Sequence, residues 1–456
     1  MNPYTKIKKG LYLSILGALT IGTAATATAD ITDIKLRALL KYQDVTPVTP
    51  PPAQDPDLIK LGQSLFFDRE LSGPRNISCS TCHSPLMGSA DGQSQSRAQG
   101  AVGLGPHRRI PAGDDLTEFL PRNALSLWNR AVDGFDVMFW DGRLSGNFLD
   151  GFTSPADPDT PQNFTNAFTA FALFPVTADE EMRGFPGQLD ALGNENELEN
   201  LGDEDFVQIW DALTARIVAD DGYNELLANA FPEIPESELT ISEISEAIGA
   251  FMTDAFTALD SPFDQYLAGD NDVMSQSQKR GAILFYSSAG CGSCHTGALQ
   301  TDLDFHNIAA PQIGGGRSTF APLDVGRGDI TGNSEDHFKF RTPSLRNIEL
   351  EAPYFHNGAF AELEDAIRHH VDPLASLKSY DPTQVAFELV DTLQNDSELI
   401  NLLINTKSPL LRPDIQLDDA GMKDIMNFLS ALTDPSSLNL LDLVPIAVPS
   451  GLPLND

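Results

Sequence analysis

Cysteine is scarce in this chain, four in 456 residues. That excludes a disulfide-dense scaffold and leaves two bridges as the ceiling. Basic residues are few as well: 29 Lys and Arg stand against 65 Asp and Glu, a formal net charge of -36. A chain so poor in positive charge cannot neutralise phosphates, so nucleic acid is excluded as a partner. The imbalance suits a basic protein partner steered by the field, or a solvated acidic surface. Past Ala29 there is no apolar run long enough to span a bilayer, so the processed chain is expected to be soluble. Strand signals are sparse too, which points to a mainly α fold with long loops and few strands.

What is present begins with an export signal. Lys6, Lys8 and Lys9 form a positive segment, Leu11 to Ala24 an apolar one, and Ala27-Thr28-Ala29 a cleavage site before Asp30. Residues 1–29 are therefore expected to be a signal peptide, and the mature protein periplasmic, exported or at the cell surface. Residues 30–56 read as a tether or short helix followed by a stiff Pro-rich linker, Thr46 to Pro56. From there Leu58, Leu61, Leu65 and Phe66 recur at helical spacing. Residues 144–172 and 186–205 read as long loops, 240–260 and 417–433 as amphipathic helices, and 436–456 as a Pro- and Leu-rich strap.

One internal repeat divides the chain. Gly62-x-x-Leu65-Phe66-Phe67 precedes Cys79-Ser-Thr-Cys82-His83, and Gly281-x-x-Leu284-Phe285-Tyr286 precedes Cys291-Gly-Ser-Cys294-His295. The default for four cysteines in an exported chain is two disulfides, and four thiolates could also hold zinc. The His after each pair and the wide separation overrule both. C-x-x-C-H is the attachment signal for c-type haem: each thiol forms a thioether, and the next His reaches the iron. Two such units follow, a haem domain over 57–270 and another over 271–435, with two covalently bound haem c groups on Cys79, Cys82, His83 and on Cys291, Cys294, His295.

Further motifs carry a resemblance. Phe139-Trp-Asp-Gly-Arg143, Arg122-Asn123, Ala178-Asp-Glu-Glu-Met182, Asp304-Phe-His-Asn-Ile308, Phe340-Arg-Thr-Pro-Ser-Leu-Arg-Asn347 and Ala352-Pro-Tyr-Phe-His-Asn-Gly358 resemble the bacterial di-haem cytochrome c peroxidase and MauG superfamily from about residue 57 to 433. The resemblance implies a peroxide-reactive haem on His83, with Glu181 as its distal general acid/base. A surface Glu within an acidic stretch is the alternative. It implies that Trp140 lies between the haems, a role compatible with a core aromatic, and that the haem on His295 stores electrons. The sixth ligand of that haem, Met in the peroxidases and Tyr in MauG, falls fourteen residues after His356, on His370. The helical wheel agrees: Leu363, Ala366, Ile367 and His370 share one face, with His369 on the side expected to meet solvent. The resemblance also implies Ca2+ held by Asn123, Glu351 and Pro353. At the first haem, either His107 is a displaceable ligand or the iron is five-coordinate, and Phe171 replaces the usual distal Gln.

The implied activity is that of a periplasmic cytochrome c peroxidase, an oxidoreductase reducing hydrogen peroxide with electrons from cytochrome c or a small copper protein. The alternatives are a MauG-like enzyme oxidising Trp or Tyr of a partner protein, and an electron-transfer cytochrome without peroxidase activity. A homodimer is compatible with each.

Overall fold

The computed structural model describes residues 30–113, 118–412 and 415–454. The expected signal peptide, 1–29, lies outside the described residues. Helices and short helical turns dominate, with one three-stranded antiparallel sheet and one two-stranded ladder. Among the described residues no helix is long and apolar enough to cross a membrane.

Each half is built on a crossed helix pair. Helix Pro56–Phe67 packs on Ile241–Ala255, and Gln276–Phe285 packs on Asp419–Ser430. The repeated glycine explains the geometry. A Cβ on Gly62 would overlap the carbonyl of Ala247, and one on Gly281 would overlap the carbonyl of Asp424. The next atoms met are the Cβ of Phe251 and of Phe428, so the partner helices repeat as well. Only glycine lets the two backbones touch. Gly62→Ala and Gly281→Ala are each expected to destabilise the protein by roughly 1–3 kcal/mol or more through overpacking. Denaturant unfolding of the haem-loaded protein measures this; an unmoved midpoint would show that the helices can separate freely.

Two main cores follow. One gathers Leu61, Phe66, Phe168, Trp210, Ile248 and Phe251; the other gathers Phe263, Phe285, Tyr286, Ile425 and Phe428. The terminal segments cross between them. Residues 31–42, read from sequence as a tether or short helix, form a helix capped by Asp30. Its Leu36 and Leu40 pack into the second core, and its Asp33 forms a buried ion pair with Lys279 at 2.8 Å. In return the C-terminal strap lies on the first half: Val448 joins the first core, and the Ser450 hydroxyl donates to Asp68 at 2.7 Å. The segment 144–172 is more ordered than a loop. It holds the hairpin Leu144–Asn147 and Gly151–Thr153, then helix Ala167–Phe171.

The halves meet around Arg122. Its guanidinium bridges Asp324 at 2.7 Å and Asp141 at 2.6 Å, all three side chains buried. Burial would raise both acids, but the arginines override it: Asp324 falls to about 2 and Asp141 well below the carboxylate range. Burial works against the charged guanidinium too, yet the two carboxylates win and hold Arg122 firmly protonated.

Candidate active site

Two cavities lie on either side of this junction. The first is lined by Cys79, Cys82 and His83 together with Phe171, Trp140 and Glu181. The second is lined by Cys291, Cys294, His295, His356 and His370, again with Trp140. All four thiols are free. Burial pushes Cys79, Cys82 and Cys291 up to about 12, which keeps them protonated.

The histidines present one lone pair each to these cavities. His83 Nδ1 lies 3.2 Å from the Ser89 carbonyl. A carbonyl only accepts, so Nδ1 carries the proton and Nε2 is left as the free donor atom. His295 repeats the arrangement, with Nδ1 3.3 Å from the Gln300 carbonyl. Burial lowers both rings to about 4, so they are neutral near pH 7. A neutral imidazole with its far nitrogen fixed by a backbone carbonyl, beside two free thiols, is the donor set that attached haem requires.

The structure separates the two neighbouring histidines of helix Leu363–Val371. His370 Nδ1 donates to the Ala366 carbonyl at 2.8 Å, so its Nε2 is free in the cavity that also holds His295. His369 corrects the expectation of solvent exposure. It is fully buried, because Pro373–Lys378 folds back over that face. Its Nε2 donates to the Ile308 carbonyl at 2.9 Å and its Nδ1 accepts from the Ser376 hydroxyl at 3.0 Å. Neither nitrogen of His369 is left for a metal.

Glu181 lies in a five-residue π-helical turn, Asp179–Arg183. It faces the His83 cavity with Arg122, Arg143 and Arg317. Desolvation raises its carboxyl above the ordinary glutamate value, against the pull of Arg143, Arg317 and Arg122 in that order. Arg317 comes from the other half of the chain, on a loop that follows Gly314, Gly315 and Gly316, and sequence reasoning did not reach it. Phe171 stands edge-on to His83, with ring centroids 6.3 Å apart.

Trp140 lines both cavities, and its indole donates to the Asn123 carbonyl at 3.0 Å. His107 is not brought to either. It is exposed on a hairpin pinned by the pairing of Val102 with Arg109 and by Arg108, whose guanidinium donates to the Ala98 carbonyl at 3.2 Å. Asn123, Glu351 and Pro353 line the second cavity. The Asn123 amide nitrogen donates to the Gln93 carbonyl at 2.7 Å, which turns its oxygen away from that partner. One carboxylate oxygen of Glu351 is buried without a partner. Such an oxygen suits a hard cation. Cys294, Asp302 and His306 also bring ligand atoms within 4.8 Å of one another. Cys294 belongs to an attachment pair, however, and His306 is engaged by Asp302 at 2.9 Å.

The family model for di-haem cytochrome c peroxidase matches residues 56–272. MauG of Methylorubrum extorquens is 29% identical over 356 residues, covering 77% of this chain and 80% of the relative. The chain is thus similar, over about three quarters of its length, to the di-haem cytochrome c peroxidases and MauG. Cytochrome c551 peroxidase of Pseudomonas aeruginosa is likewise 29% identical over 359 residues, covering 77% of this chain and 83% of the relative. The crystal structure of a MauG-like protein associated with microbial copper homeostasis superposes with a TM-score of 0.57 at 25% identity, over 86% of this chain and 95% of that chain. The likeness implies two haem c groups, one for each C-x-x-C-H segment.

Proposed function

We propose that this protein is a di-haem c peroxidase that reduces hydrogen peroxide to water outside the cytoplasm, taking electrons from cytochrome c or a small copper protein. The balance is one peroxide, two electrons and two protons to two waters. The observation that carries the reading is Glu181 facing the His83 cavity. Bound haem supplies the iron at which peroxide is cleaved and the sites at which electrons are stored.

The chain's own residues do the rest. Cys79 and Cys82 would anchor one haem and Cys291 and Cys294 the other, with His83 and His295 supplying an imidazole to each. His370 would be a further ligand to the haem held by His295, and no second ligand is assigned to the haem held by His83. Glu181 takes a proton from the near oxygen of peroxide and returns it to the departing one. Arg143 and Arg317 keep that carboxyl ionised when it must act as base. Phe171 and Phe139 exclude water from the cavity. Trp140 forms the wall between the cavities and is placed to pass electrons. Asn123 with the Glu351 and Pro353 carbonyls would hold Ca2+, a hard cation that suits oxygen ligands.

Purified protein is expected to carry two acid-stable haems per chain by pyridine haemochrome assay, and to consume peroxide in steady state with a reduced donor. Protein without covalent haem would sink the reading. One observation favours a MauG-like second reading, oxidation of Trp or Tyr in a partner protein. His370 offers imidazole where the peroxidases use thioether, which lowers the potential and makes the second haem easier to oxidise. Two covalent haems with no steady-state turnover, but slow peroxide-dependent oxidation of a partner, would select that reading.

A further inference from the structure

Arg130 and Arg341 are both buried, at 4% and 1% exposure, and both line the second cavity. They flank one ring, that of Phe135, at 5.0 Å and 5.3 Å. Arg341 donates from Nε to the Phe139 carbonyl at 2.9 Å and from Nη1 to the Thr342 carbonyl at 3.1 Å. Arg130 donates from Nε to the Ser126 carbonyl. Each then keeps one terminal nitrogen, Nη1 of Arg130 and Nη2 of Arg341, buried and without a partner.

No carboxylate among the described residues lies within ion-pair distance of either. The acids that face them are engaged or remote. Asp141 is paired with Arg122, and Glu351, though it lines the same cavity, lies beyond ion-pair reach of Arg130. Leaving a buried cation unpaired costs several kcal/mol, and two adjacent ones cost more. Burial is the first cause that lowers both guanidiniums, Arg130 to about 10 against the pull of Glu351, and Arg130 lowers Arg341 further. A site of this kind calls for a pair of anions delivered by whatever fills the cavity.

We infer that Arg130 and Arg341 form a buried subsite for the two propionate carboxylates of the haem attached at Cys291 and Cys294. This rests on the assignment of haem to that cavity. The backbone N–H of Arg341 donates to the Trp140 carbonyl at 2.8 Å. The subsite therefore sits at the wall shared by the two cavities, where Trp140 lies. A guanidinium fork matches a carboxylate bidentately, so each orphan N–H gains an acceptor. Fixed positive charge beside the haem also disfavours its oxidised form. The pair raises the potential that two imidazole ligands would otherwise lower.

The test is spectroelectrochemical titration of the haem-loaded protein, following the low-spin haem. Arg341→Met and Arg130→Met are each expected to shift its midpoint to lower potential, while Arg341→Lys, which keeps the charge, stays near the unsubstituted value. Met variants that hold two covalent haems with an unshifted low-spin midpoint overturn the inference and leave the peroxidase reading standing. A chain without covalent haem sinks the reading itself. If the Met variants do not fold, the unsubstituted protein decides. With haem labelled at the propionate carboxyls, infrared difference spectra should show half the labelled groups still ionised at a pH where exposed propionates have taken up protons. Protonation of all of them together overturns the subsite.

Discussion

Replacing Glu181 by Gln slows peroxide consumption by about 10²–10⁴-fold, the range for a lost general acid/base, with both haems retained. Gln is nearly isosteric, so the cavity keeps its shape and loses only the proton carrier. The pH profile adds a second check. Desolvation raises the Glu181 carboxyl, although Arg143, Arg317 and Arg122 pull it back. The base form is therefore present above this raised value and is lost as pH falls through it. The acid limb of peroxide consumption should lie above that of an ordinary glutamate. Removing the cation with the largest pull on it by Arg143→Gln should move the limb to still higher pH. Stopped-flow peroxide decay across pH measures both. Unchanged decay in Glu181→Gln would reduce Glu181 to a passive wall residue.

The legible parts of this molecule were those with local signals. The two C-x-x-C-H segments are contiguous, and covalent attachment demands that order of residues. The Gly62 and Gly281 repeat marked the crossed helices because close backbone approach leaves few choices at one position. What escaped depended on which surface covers which. Periodicity shows that Leu36 and Leu40 form an apolar stripe; it carries no address for the second core that receives them. Arg317 enters the first cavity from the second half of the chain, a placement set by a loop after three glycines and by no pattern near Glu181. Neither Arg130 nor Arg341, although the latter lies in the Phe340–Asn347 run, carries a local signal of burial, and only their burial without a paired acid reveals a demand for anions. The same gap explains His369. A helical wheel assumes one covered face, whereas Leu363–Val371 is covered on two, by the haem cavity and by the segment Pro373–Lys378 folding back.

His370→Ala is expected to remove the second axial ligand of the haem on His295, while His369→Ala leaves that ligation intact. His369 spends both nitrogens, on the Ile308 carbonyl and the Ser376 hydroxyl, whereas His370 spends only Nδ1, on Ala366, and leaves Nε2 in the cavity. The unsubstituted protein should show a low-spin haem without the sulfur-to-iron charge-transfer band of a Met ligand. In His370→Ala that haem should turn high-spin or take up water, and its potential should rise. His370→Met should restore low-spin character, bring in the sulfur band and place the potential above that of the bis-imidazole form. His369→Ala should instead act on stability. It leaves the Ile308 carbonyl without its donor and opens a cavity among Phe355 and Phe360, together costing roughly 2–5 kcal/mol. Electron paramagnetic resonance and potentiometry separate these outcomes. A low-spin signal that survives His370→Ala but vanishes in folded His369→Ala protein would move the ligand by one residue. With it would go the electronic case for oxidation of a partner protein.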